Sequence, residues 1–299
     1  MAMREYLIGE VTQDYADGLM TRREATRRLG LLAVSTSAAA ALLAACGSGG
    51  GTASDTQSSS PPATSKPGGT TAAARADIVR FKGPSGELQA AWAGAPAPKA
   101  AVLVIHENRG LTPHFHDLVR RFAGQGYSAL CVDLLSPEGG TASLKDPAAA
   151  PTALANAPVG RLLGDLRAGI DELQRRVPGK KVGAVGFCFG GGMVWNLLNV
   201  GEARLASAVP FYGTPPDNPD FSKTKAAVLA MYGGLDERVT PTRDEAEAAL
   251  RQAGLTYEIR VFPGANHAFF NDTNPQRYHA KAAAEAWTAL LAWFAKYLS

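Results

Sequence analysis

The stretch Gly186-Phe187-Cys188-Phe189-Gly190-Gly191 constrains this chain more than any other. It follows an apolar run, Val182 to Phe187, that reads as a buried strand. It leads into Met193-Val194-Trp195-Asn196-Leu197-Leu198, which reads as a buried helix. A strand turning into a helix through Gly-x-nucleophile-x-Gly is a nucleophile elbow, with Cys188 where serine usually stands. The turn strains its central residue, and the flanking glycines let strand and helix approach closely. It puts the side chain at the end of a sheet, at a helix N-terminus whose free N–H groups and dipole favour a thiolate. Two other glycine-rich loops drop out. A dinucleotide loop would need glycine at position 188, and a P-loop fails because Gly179-Lys180 is followed by lysine and lacks the upstream glycine.

Around the elbow the pattern alternates. Ile78–Lys82 and Leu88–Trp92 read as an antiparallel opening pair across Gly83-Pro84-Ser85-Gly86. Strands follow at Ala100–Ile105, Tyr127–Asp133, Ala206–Phe211, Ala227–Tyr232 and Tyr257–Phe262. Helical spacing marks Phe115–Phe122, Leu162–Leu173, Arg243–Gln252 and a terminal helix from about Pro275 to Tyr297. Leu134–Pro158 is an excursion rich in Pro, Ala and Gly, long enough to work as a loop over a site. The fold class is α/β, a mostly parallel sheet with helices on both faces. Its chemistry belongs beyond the C-terminal strand ends.

The front of the chain reads differently. Arg22-Arg23 and Arg27-Arg28 precede the apolar stretch Leu29–Ala45, which ends in Leu43-Ala44-Ala45-Cys46. A basic region, a short apolar region and small residues describe an export signal, and paired arginines point to the twin-arginine route. The ending resembles a bacterial lipoprotein cleavage box, with Cys46 as the lipidated residue. Interrupted by Ser35-Thr36-Ser37, the stretch falls short of the about 20 apolar residues of a spanning helix, the alternative being a retained anchor. The expected division is a signal over 1–45, a flexible Gly/Ser/Thr/Pro tether over 46–76 and one domain over 77–299. The protein is then exported and lipid-anchored on the periplasmic or outer face of a bacterial membrane, as a monomer. With 30 basic against 27 acidic residues and no basic run, nothing supports a nucleic-acid partner. Three cysteines, one reserved for lipid, argue against a disulfide framework.

Four strand ends carry candidate chemistry: Cys188 itself, Asp236 after Gly233-Gly234-Leu235, His267 after Pro263-Gly264-Ala265-Asn266, and His106-Glu107-Asn108-Arg109 after Ala100–Ile105. Taken singly, Asp236 fits an Asx turn and His267 a satisfied loop histidine. Together, in the order nucleophile, acid, histidine, they match a triad. His267 would move the protons and Asp236 hold its tautomer. The backbone N–H groups of Phe189 and Asn108 would form the oxyanion hole. His114 and His116 form an H-x-H pair on a helix start, which without further ligands is a weak metal motif and reads as an exposed face.

These residues resemble the dienelactone hydrolases (carboxymethylenebutenolidases) of the α/β-hydrolase superfamily over most of Asp77–Ser299. The likeness rests on Val104-Ile105-His106-Glu107, the cysteine elbow, Gly233-Gly234-Leu235-Asp236 and Gly264-Ala265-Asn266-His267-Ala268-Phe269. The resemblance implies a small-molecule ester or lactone as substrate, attack by Cys188 through an acyl-thioester, and no cofactor or metal. It also implies that Glu107 lies beside the cysteine and helps to deprotonate it, a salt bridge to Arg109 being the plainer reading. Two departures concern the substrate. An arginine four residues after the triad histidine is replaced by Asn271, and Leu134–Gly160 holds no arginine, leaving Arg109 as a candidate replacement. Other activities on the same triad are acyl transfer or thioester hydrolysis; an inactive envelope binding protein is the alternative from outside catalysis.

Overall fold

The computed structural model describes residues 3–46 and 76–299. The tether expected over 46–76 therefore lies almost wholly outside the described residues, as does the side chain of Cys46.

Eight strands form one sheet: β1 (Asp77–Gly83), β2 (Gly86–Ala93), β3 (Ala100–Ile105), β4 (Tyr127–Val132), β5 (Val182–Phe187), β6 (Leu205–Phe211), β7 (Ala227–Gly233) and β8 (Tyr257–Phe262). Their order is β1-β2-β4-β3-β5-β6-β7-β8, antiparallel at β1/β2 and β2/β4 and parallel elsewhere. The central strands are buried on both faces, which is why β3 and β5 are continuous apolar or glycine runs rather than alternating ones. Helices α4 (Pro113–Gly124) and α9 (Ala280–Tyr297) share one face, with the Phe122 ring 4.9 Å from Trp287. α6 (Val159–Arg176) and α7 (Phe189–Asn199) cover the other, beside α5 (Ala150–Asn156), while α8 (Arg243–Gln252) packs at the β8 edge. From β3 the chain steps one way to β4 and afterwards the other way to β5, so the crevice at their C-terminal ends is the topological switch point.

Two expectations shift. The terminal helix starts at Ala280 rather than Pro275, because residues after His267 fold as successive turns: Asn271 N–H bonds Ala268 O, Tyr278 N–H bonds Asn274 O, and the His279 ring caps Ala282 N–H. His114 is not on an exposed face. It is buried, its Nδ1 3.0 Å from Asp272 Oδ1, in a cluster where Asp272 also pairs with buried Arg121. Burial outweighed by these partners holds Asp272 at about 2, and the cluster fastens the turns that carry Asn271.

The front of the chain is helical and lies against the domain: α1 (Met3–Ala16), α2 (Arg22–Leu31) and α3 (Thr36–Cys46). The apolar stretch Leu29–Ala45 is broken at Leu32–Ser35, where Ala33 takes φ 55°, and its Leu29, Leu32, Ala39 and Leu43 are buried. Among the described residues no helix is long and apolar enough to cross a membrane.

Candidate active site

Local backbone constraints build the elbow. Cys188 sits at φ 55°, ψ −117°, one residue before α7. A Cβ on Gly186 would stand 2.1 Å from Gly190 O, one on Gly190 2.3 Å from Ile105 O, and one on Gly191 2.4 Å from Phe211 O. The three glycines are thus where α7 crosses the ends of β3, β5 and β6, and any side chain there would push helix from sheet. Phe189, expected to supply an oxyanion N–H, is the first residue of α7.

Asp236 and His267 meet because the loops after β7 and β8 are stitched together. Gly234 N–H bonds Phe262 O at 2.9 Å and Leu235 N–H bonds Ala265 O at 2.9 Å. The Asp236 carboxylate lies 2.6 Å from His267 Nδ1 and also accepts from Val239 N–H at 3.0 Å. Burial pulls its pKa upward, but the charge and hydrogen bond of His267 outweigh that and hold it below the ordinary range. Conversely, burial would lower His267, yet Asp236 beside it raises the imidazole well above its usual value. The Cys188 sulfur and a His267 ring nitrogen lie within 4.8 Å of each other. The three residues expected to meet from separate strand ends therefore do.

Glu107 and Asn108, after β3, border the same cavity as Cys188. The Glu107 carboxylate accepts from Asn271 Nδ2 at 2.8 Å and from Tyr212 Oη at 3.4 Å, and is not bonded to the sulfur. The residue in the arginine's place thus serves to hold Glu107. Arg109 is exposed at the rim of the cavity and makes no salt bridge to Glu107. The Asn108 side chain donates to Glu10.

Glu10, on α1, is a site residue that no sequence motif points to. The Cys188 thiol donates to Glu10 Oε1 at 2.7 Å, and the same oxygen lies 3.3 Å from both His267 Nε2 and Arg238 Nη2. Tyr6, one turn earlier, places its hydroxyl 3.5 Å from the sulfur, and the Arg238 guanidinium lies 4.5 Å above its ring. Burial of Glu10 is more than offset by His267 and Arg238, which hold its pKa at about 2. Burial first, and then this carboxylate, push the Cys188 thiol up to about 12. A thiolate favoured by the helix N-terminus is therefore not the resting state; a buried anion at 2.7 Å overrides a terminal dipole. Glu10, Cys188 and His267 do present three donor atoms of the kinds that ligate metals. The carboxylate already accepts from the thiol and from the Arg238 guanidinium.

A cavity of ≈ 440 Å³ opens at this point, lined among others by Cys188, His267, Glu107, Asn271, Arg238 and Arg277. Of these, Arg238 and Arg277 escaped the sequence reading, since nothing in Asp236-Glu237-Arg238 or Gln276-Arg277 distinguishes them from solvated arginines.

Residues 88–298 match the profile of the dienelactone hydrolase family. An Escherichia coli protein provisionally named carboxymethylenebutenolidase is 33% identical over 214 residues, covering 67% of this chain and 78% of its own length. Among solved structures, a provisionally assigned dienelactone hydrolase from Klebsiella pneumoniae superimposes with a TM-score of 0.66 at 29% identity, covering 75% of this chain and 100% of the other. A dienelactone hydrolase-like promiscuous phosphotriesterase from metagenomic libraries gives 0.67 at 25% identity, with 76% and 99% covered.

Proposed function

Because the chain belongs to the dienelactone hydrolase family and is a hydrolase of ester or lactone bonds, we propose that it cleaves its substrate through Cys188, His267 and Asp236 with an acyl-thioester intermediate. The observation that carries this is the Cys188 sulfur, at the tip of a strained elbow, within 4.8 Å of an imidazole whose far side is held by Asp236 at 2.6 Å. In the cycle His267 takes the thiol proton and the sulfur attacks the carbonyl carbon. The carbonyl oxygen gathers charge opposite the N–H groups of Phe189 and Asn108, and the C–O bond breaks as His267 returns the proton to the leaving oxygen. A water deprotonated by His267 then attacks the thioester carbon; the C–S bond breaks, the acid leaves and His267 returns the proton to the sulfur. Asp236 keeps the imidazole in register and stabilises its charged form. Glu107, anchored by Asn271 and Tyr212, stands as a second carboxylate that helps to deprotonate the thiol when substrate arrives. The substrate is a small ester or lactone, and the steps use no cofactor or metal.

The test is Cys188→Ala in the full chain against a panel of chromogenic esters and lactones. Hydrolysis should vanish with the fold intact, and unchanged turnover would refute the nucleophile. An added alcohol or amine that captured the acyl group would reveal a transferase on the same residues. The twin-arginine lipoprotein signal, cleaved before Cys46 to leave a lipid-anchored domain outside the cytoplasm, remains part of the proposal. Mass spectrometry of membrane-extracted protein tests it, an intact Met1 terminus without acyl chains being the contrary result.

A further inference from the structure

The mouth of the site is covered by the chain's own first helices. α1 turns one face to the domain, burying Tyr6, Leu7, Glu10 and Val11, with Asp14 and Asp17 further along. Acids of α1 and of the residue after it meet the cavity: Glu10 accepts from Asn108 and pairs with Arg238, while Asp14 and Asp17 each lie 2.8 Å from Arg277. α2 adds Arg27 against Asp146 of the excursion at 2.6 Å. The helices brace one another, Arg4 of α1 donating to the carbonyls of Leu32 and Ala33 at 2.7 Å.

The chemical consequence is specific. The space beside the sulfur that an incoming carbonyl must enter is held by the Glu10 carboxylate. The same carboxylate sits 3.3 Å from His267 Nε2, the nitrogen that would take the thiol proton, and so favours a ring already protonated. The Tyr6 hydroxyl, 3.5 Å away, adds a second group of α1 beside the sulfur. A thiol kept protonated next to an imidazolium has neither nucleophile nor base available.

We infer that Met3–Cys46 is an autoinhibitory plug, docked through the acidic face of α1 on Asn108, Arg238 and Arg277, that silences Cys188 until the segment is displaced or removed. This rests on Cys188 as the nucleophile, proposed above. If the chain is cleaved before Cys46, cleavage carries away α1, α2 and nearly all of α3, and export becomes the activating step.

The experiment uses the full chain and reads two rates, alkylation of Cys188 by iodoacetamide and turnover of an activated ester. It compares the parent with Glu10→Gln and with the double variant Asp14→Lys, Asp17→Lys, which repels the plug from Arg277 and leaves the Tyr6, Glu10 and His267 side chains around the sulfur unsubstituted. A plug that stands open about 1% of the time lowers apparent rates about 100-fold, so both variants should raise both rates roughly 10- to 100-fold. Turnover that falls in Glu10→Gln would make Glu10 a working part of the reaction and overturn the plug; rates unchanged in both variants would make the contact idle and overturn it too. Cys188→Ala in the double-variant background separates the two claims. Raised turnover that survives it leaves the plug standing and removes the nucleophile. Turnover abolished by it, but never raised by release, does the reverse.

Discussion

The two sides of the site are built by different means. On the sheet side, each chemical group is fixed by backbone a few residues away: Cys188 by its positive φ and flanking glycines, His267 by Asp236 and the stitched loops after β7 and β8. On the N-terminal side, Glu10 reaches the sulfur from 178 residues away through the packing of a helix whose sequence carries no motif. The first side cannot leave without unfolding the domain. The second is held by one helix face and a few ion pairs, and can leave while the sheet stays whole. The same pair of sides also holds two carboxylates with opposite duties, Glu107 anchored within the domain and Glu10 delivered to it.

The sheet side should fail hardest. Asp236→Asn, which keeps the shape but spoils the tautomer and charge, should lower kcat by roughly 10³- to 10⁴-fold, measured in a background freed of α1 by Asp14→Lys, Asp17→Lys. A loss under tenfold would detach Asp236 from the chemistry. Next comes the elbow itself. Gly190→Ala places a methyl 2.3 Å from Ile105 O and should cost on the order of 3 kcal/mol in denaturant unfolding, with the midpoint of the sheet domain shifted accordingly. A neutral result would mean that α7 and β3 are not pressed together as described.

The N-terminal side should yield to acid. Glu10 is held at about 2, below its ordinary 4.5, so its contribution to docking is complete above 4.5 and drains away as pH falls toward 2. The protection of the α1 amides, taken relative to their intrinsic exchange rate at each pH, should fall down that window while in Glu10→Gln it is already low at neutral pH; equal, pH-independent protection in both would break the contrast between the two sides. The smallest effect is expected at Glu107. Glu107→Gln keeps the bonds to Asn271 and Tyr212 nearly intact and should lower kcat by about tenfold or less, opposite in sign to the gain from Glu10→Gln. If the two substitutions act in the same direction, the carboxylates share a role.

What could be read from the chain follows the same division. The strands, the elbow and the convergence of Cys188, Asp236 and His267 were legible because periodicity and glycine placement act over a few residues, and a parallel sheet then dictates which strand ends are neighbours. Asn271 could be seen to replace an arginine, but not that it would turn to Glu107, since that depends on how Asp272, Arg121 and His114 fasten the turn. His114 itself looked like a surface residue because its partner lies far along the chain. Glu10 and Tyr6 were illegible for the simplest reason: α1 is polar on most of its surface, and only the docked arrangement shows that one face of it is apolar and acidic toward the site.

The most direct test of the chemistry is to catch the enzyme in the act. The chain carrying Asp14→Lys and Asp17→Lys, quenched in acid during steady turnover of an activated ester and analysed by peptide mass spectrometry, should carry one acyl group on the peptide that bears Cys188. Turnover that proceeds with the acyl group on another residue, or with that peptide never modified, would contradict the account.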